Sequence, residues 1–131
     1  HEAHVIEVVV PDQGVEVEAD EGQITQIVWN LATNGLRAMP DGGCLRLVGL
    51  PGGNGHGVVI QVEDEGIGIP AEDIDGLFQP FRGHFAKGTG LGLAIVHRIV
   101  SDYRGELQVR SKVGVGTTVA VVLPARVEVA A

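Results

Sequence analysis

Asn30 and Asn34 stand four residues apart in WNLATNGL (29–36), a stretch whose apolar spacing is helical. Asparagine is a mediocre helix former because its amide competes with the backbone for hydrogen bonds. A spacing of four puts both amides on one face, one turn apart. An amide oxygen can ligate magnesium without adding negative charge beside phosphates, and magnesium takes oxygen ligands in an octahedron shared with water and phosphate. The plain alternative is a polar helix face turned to water.

A second group is DEGIGIP (64–70), which follows the strand-like VVIQVE (58–63). An ionised aspartate only accepts hydrogen bonds. Adenine offers an amino donor where guanine offers an oxygen acceptor. A carboxylate at Asp64 that points into a pocket would therefore select adenine, with Gly66 and Gly68 letting the backbone approach the base. The alternative is a turn acid that caps the following helix. The third group is GTGLGL (88–93), glycines alternating just before a helical pattern. Unobstructed N–H groups at a helix start attract anions. The pattern is neither the dinucleotide fingerprint nor a P-loop, and a glycine-rich helix start without a ligand fits it equally.

These groups need a frame. The 131 residues suit one domain with a hydrophobic core. At 44% apolar residues the chain is globular, and a net charge of −8 argues against a nucleic-acid surface. Cys44 is the single cysteine, which excludes a disulfide framework and fits a reducing, cytoplasmic compartment. No apolar run approaches the length of a membrane span, and no signal peptide is visible. The chain enters a strand pattern at once after His1, as expected of a piece of a longer protein whose parent can be membrane-anchored.

Along the chain, His4–Val10 and Val15–Ala19 read as a hairpin or two neighbouring strands. Asp20 and Gln23 have the spacing of a capping box, and Ile24, Ile27, Val28 and Leu31 form the apolar stripe of a helix ending before Pro40. Strands follow over Cys44–Leu50 and Val58–Glu63, then a short helix over Ala71–Leu77. Residues 78–90 are irregular. Leu91–Tyr103 is a helix with apolar Leu91, Ala94, Ile95, Ile99 and Val100, and strands Glu106–Val109 and Thr117–Leu123 close the chain. The order ββαββααββ predicts a two-layer α/β sandwich, with helices on one face of a mixed sheet.

Taken together and in order, the motifs resemble the ATP-binding catalytic domain of sensor histidine kinases, in the wider family that includes gyrase-type and mismatch-repair ATPases. NLATNGLRAMP resembles the N box, DEGIGIP the first G box, LFQPF (77–81) the F box, GTGLGLAIVHRIV the second G box and GVGTTVAVVLP (114–124) the third. The resemblance spans about Val5 to Pro124. It implies one domain over 1–131 with an α+β, Bergerat-type fold: a two-layer sandwich with a mixed, mostly antiparallel sheet.

The resemblance also implies roles. Asn34 would ligate magnesium, with Asn30 as its helix partner and Arg37 reaching the phosphates. Asp64 would bind the adenine amino group, Gly66 and Gly68 would shape the adenine pocket, and Thr117 would join it. Phe78 and Phe81 would anchor a nucleotide lid over 82–90, Lys87 would lie near the terminal phosphates, and Gly88, Thr89, Gly90, Leu91 and Gly92 would wrap them. Asn30, Asn34 and Lys87 would be the catalytic set. Hydrolysing relatives usually carry a glutamate base where this chain has Asn30, and an amide takes no proton at neutral pH. The site thus suits holding ATP while another nucleophile attacks.

The implied partners are ATP, a phosphoacceptor histidine on a separate hairpin of the same parent, and the receiver domain of a response regulator. The fragment is expected as a monomer and its parent as a homodimer. HEAHVI lacks the proline that follows a phosphoacceptor histidine, and His56, His84 and His97 lack its context. AMPDGG resembles the nitrogen-regulation and C4-dicarboxylate branch. Three other readings share these motifs: a clamp-type ATPase, disfavoured by Asn30; an anti-sigma-type serine kinase, separable by the acid stability of its product; and a degenerate interaction module.

Overall fold

The computed structural model describes residues 4–11, 19–52, 57–77 and 92–124. Its elements run β1 (His4–Val9), α1 (Glu21–Arg37), β2 (Gly43–Pro51), β3 (Val58–Asp64), α2 (Ala71–Ile74), α3 (Gly92–Asp102), β4 (Glu106–Lys112) and β5 (Gly116–Leu123). The strands form one sheet in the order β1-β2-β3-β5-β4. β1 pairs parallel with β2, and the other three pairings are antiparallel. The sheet is therefore mixed and mostly antiparallel, with α1 and α3 packed together on one face, as the α+β reading expects.

Alternation explains the two layers. Leu45 of β2, Val58 and Val62 of β3, and Val121 and Leu123 of β5 are buried toward the helices. On the other face, Glu7, Arg46, Glu63, Thr118 and Arg110 follow one another in register across all five strands. Arg46 there pairs with Glu7 at 3.0 Å and Glu63 at 3.5 Å.

α1 meets the sheet through Ile27 and Leu31, while Ile24 and Val28 are only half-buried. α3 buries Leu93, Val96, Ile99 and Val100. The expected stripe put Ala94 and Ile95 inward; both are half-buried. LAIVHRIV is apolar at so many positions that its period admits more than one phase, and packing against α1 selects 93, 96 and 100. α2 ends at Ile74, and 75–77 are a turn. β4 runs three residues past Val109. The expected strand Val15–Ala19 falls mostly outside the described residues.

Asp20 caps α1 as read: its Oδ1 accepts from Gly22 N–H at 2.8 Å and Gln23 N–H at 3.2 Å. The reciprocal half of the box runs through a distant residue. The buried Tyr103 hydroxyl accepts from Asp20 N–H at 3.2 Å and donates to Gln23 Oε1. The start of α1 is thereby tied to the turn that ends α3.

Candidate functional site

Three polar residues interrupt the aliphatic inner face of the sheet at one end. On β3 the inward positions are Val58, Ile60, Val62 and Asp64; on β5 they are Thr117, Val119, Val121 and Leu123. Asp64 stands opposite Thr117, and Thr117 stands opposite Ser111 of β4. The Asp64 carboxylate opens onto a cleft walled by Leu31, Val62, Ile69 and Leu93, into which Asn34 and Thr117 also face. Asp64 Oδ1 accepts from Gly66 N–H at 2.8 Å and Thr117 N–H at 3.3 Å, while Oδ2 takes neither bond. Burial pushes the Asp64 carboxyl above the ordinary aspartate value; the two backbone hydrogen bonds pull the other way and do not cancel it.

The loop after Asp64 is held on both sides. Gly66 is buried, and a Cβ there would overlap the carbonyl of Ala38, the residue that caps α1. Gly68 has φ +76°, and a Cβ there would overlap the Lys112 carbonyl. What both missing side chains make room for is protein backbone. Ile67 N–H donates to Ala38 O at 3.1 Å and its carbonyl accepts from Gly114 N–H at 2.9 Å. Ile69 N–H donates to Ser111 Oγ at 2.8 Å. The loop thus fixes one wall of the cleft between the end of α1 and the β4–β5 hairpin.

The helix side is looser. The Asn30 amide donates to the carbonyl of Gly92, the first residue of α3, at 3.4 Å, so Asn30 ties α1 to the second glycine-rich motif. Asn34 is half-buried, and its side chain makes no hydrogen bond to another described residue. Arg37, in the last turn of α1, is exposed and has no ion pair among the described residues. No group of three or more His, Cys, Asp or Glu side chains among the described residues could hold a metal. A site for magnesium with one neutral protein ligand is consistent with Asn34, whose oxygen has no described protein partner; water and phosphate oxygens complete such an octahedron.

The structure therefore brings Asn34, Asp64 and Thr117 to one cleft, places Asn30 and Gly92 beside it, and puts Gly66 and Gly68 in its supporting loop. Phe78, Phe81, Lys87, Gly88, Thr89, Gly90 and Leu91 lie outside the described residues. Sequence reasoning missed Ser111. Ending β4 at Val109 hid its signal: a polar residue at 111 continues the inward parity of Leu107 and Val109. No helix among the described residues is long and apolar enough to cross a membrane.

Residues 19–127 match the family described as histidine kinase-, DNA gyrase B- and HSP90-like ATPase. Among curated relatives, the sensor histidine kinase ZraS of Escherichia coli (strain K12) is 39% identical over 112 residues, covering 86% of this chain and 24% of its own length. Sporulation kinase C of Bacillus subtilis (strain 168) is 40% identical over 111 residues, covering 85% and 26%. The chain thus spans about a quarter of the length of these relatives. Among solved structures, the mycobacterial sensor histidine kinase MprB aligns with a TM-score of 0.82 at 27% identity, over 97% of this chain and 87% of that one. Full-length ShkA in complex with AMPPNP aligns with a TM-score of 0.78 at 29% identity, over 95% of this chain and 27% of that one. With 109 consecutive residues matched, from 19 to 127, and the sheet order and polar row in place, this chain belongs to the family of histidine kinase-, DNA gyrase B- and HSP90-like ATPases.

Proposed function

We propose that this chain binds Mg-ATP and presents its γ-phosphoryl group to a histidine on a separate dimerisation hairpin of a sensor kinase. The observation that carries the reading is Asp64: a half-buried carboxylate at the end of β3, fixed through Oδ1 and lining an apolar cleft. The cleft holds about 20 Å³, the room of one water, so a flat base would have to widen it; an acceptor at its end would then recognise the adenine amino donor. Asn34, whose side chain has no described protein partner, lines the same cleft and would hold magnesium beside the triphosphate. Bound there, the ion would neutralise charge on the phosphates. Arg37, Lys87 and the glycines at 88, 90 and 92 would complete the phosphate end, with Phe78 and Phe81 at the base of the lid.

The chain's own part in the transfer is to orient ATP and shield it from water. The imidazole nitrogen of the acceptor forms a bond to the γ-phosphorus as the bond to the β-phosphate oxygen breaks, and ADP leaves. No base is needed to activate water, and at Asn30 there is none. The incomplete coverage of the sensor kinase relatives fits an acceptor hairpin, and a site for a response regulator, carried elsewhere in a homodimeric parent.

Calorimetry of the chain with ATP and magnesium should give saturable binding with little turnover. Adding a matching histidine hairpin should then yield a phosphorylated product that acid destroys. Absence of heat at millimolar nucleotide overturns the reading; an acid-stable product points to the serine kinase instead.

A further inference from the structure

Resting on the assignment of Asp64 to the purine end, we infer that Ser111 sets base specificity by fixing the direction of the Thr117 hydroxyl. Ser111 Oγ has three partners: Ile69 N–H at 2.8 Å, Gly116 O at 3.0 Å and Thr117 Oγ1 at 2.7 Å. A serine hydroxyl has one proton and two lone pairs. Ile69 N–H can only donate, so it takes one lone pair. The Gly116 carbonyl can only accept, so it takes the proton. The remaining lone pair faces Thr117, which must therefore donate.

All three bonds exist together in this arrangement alone. Its consequence lies across the strand. Thr117 is 7% exposed and lines the cleft beside Asp64. With its proton directed at Ser111, Thr117 offers the cleft only lone pairs, as Asp64 does through Oδ2. The end of the cleft then presents acceptors from two residues and matches a donor on the base. Free of Ser111, the Thr117 hydroxyl could rotate and donate to an oxygen in the same place. Ser111 touches no ligand in this scheme; it is a positioning residue for the residue that does.

Adenosine and inosine triphosphates separate these cases when Asp64 and Thr117 face the six-position, where inosine carries an oxygen acceptor and adenosine the amino donor. Purine riboside triphosphate, which has neither group and keeps N1 as an acceptor, controls for the N1–H that inosine gains. Calorimetric titration of the intact chain with each, magnesium present, should show a preference for adenosine. Ser111→Ala should lower that preference by about tenfold, the size of one hydrogen bond changed in sign. Ser111→Thr, which keeps the hydroxyl, should restore it. A purely structural role would weaken both nucleotides by one factor and leave their ratio unchanged, and that result overturns the inference.

If circular dichroism shows Ser111→Ala unfolded, Ser111→Cys carries the test, since a thiol is a weak donor and acceptor and the ratio must still fall. A wild-type chain without preference overturns the Asp64 assignment and this inference with it. A wild-type preference that survives both Ser111→Ala and Ser111→Cys overturns this inference alone.

Discussion

Asp64 and Asn34 face one cleft from opposite layers, and their surroundings differ in kind. Asp64 sits on the sheet, its Oδ1 held by two backbone N–H groups and its strand neighbour Thr117 held in turn by Ser111. Asn34 sits on α1, and its side chain makes no hydrogen bond to another described residue; Arg37, one turn on, is exposed. On the proposed reading the sheet side would be organised before ATP arrives, whereas the helix side would be completed by ATP and its metal. A rigid flat base needs fixed partners. A flexible triphosphate and its hydrated metal tolerate side chains that adjust.

The sharpest way to break this contrast is Asp64→Asn. The variant keeps an oxygen for the Gly66 and Thr117 N–H groups but can set an NH2 group against the adenine amino donor. Loss of a hydrogen bond to a charged group costs about 1.5–3 kcal/mol, so ATP affinity should fall roughly ten- to hundredfold by calorimetry. An unchanged affinity would remove Asp64 from the base site. The same variant should not destabilise the free chain. Burial raises the Asp64 pKa, so its protonated form is favoured on folding. The matching stability is complete below pH 3.8 and is lost as the pH rises through the raised value. At neutral pH the buried charge is a net cost, and an uncharged amide should melt at the same temperature or higher.

Asn34→Ala probes the other layer and should act through the metal. ATP affinity in magnesium should drop by about tenfold, the scale of one lost polar contact. In chelator the variant and the wild type should bind ATP alike. Equal weakening with and without magnesium would place Asn34 on the nucleotide rather than on the ion.

Titration with pH should separate the two layers by a smaller margin. The charged Asp64 is the better acceptor, so adenosine preference over inosine should decline as the pH falls through its raised pKa. That decline should begin above the usual aspartate range, because burial outweighs the two N–H bonds. Asn34 and Arg37 do not titrate there. Magnesium dependence should instead follow the terminal phosphate, which takes up a proton at about pH 6. If both properties decline together, the layers are not independent.

Much of this arrangement was legible in the sequence, for different reasons at different residues. Asp64 could be placed because a strand of Val and Ile alternation ends on it, and a period of two fixes which way it points. Asn34 could be placed because a period near 3.6 sets it one turn from Leu31 and Ala38. Ser111 could not, because nothing local marks where a strand stops: β4 extends to Lys112 through pairing with β5, a contact remote from its own composition. Tyr103 was hidden likewise, since its partners Asp20 and Gln23 are 83 and 80 residues away. The supporting glycines were visible, but their reason was not. Gly66 and Gly68 read as room for a ligand; that they also admit the Ala38 and Lys112 carbonyls could not be read.

Arg37→Ala carries the smallest expected effect and is the finest test of the looser layer. Arg37 lies in the last turn of α1, exposed, with no described acidic partner to release on removal. Exposed ion pairs contribute a few tenths to about 1 kcal/mol, so ATP affinity should fall by no more than about fivefold. The loss should shrink as salt rises from low to physiological strength, because the Debye length contracts to about 8 Å. It should also follow the number of phosphates: ATP should be affected more than ADP, and adenosine not at all. A loss that is large, insensitive to salt and shared by adenosine would mean that Arg37 supports the fold of the cleft. The helix side would then be as organised in advance as the sheet side.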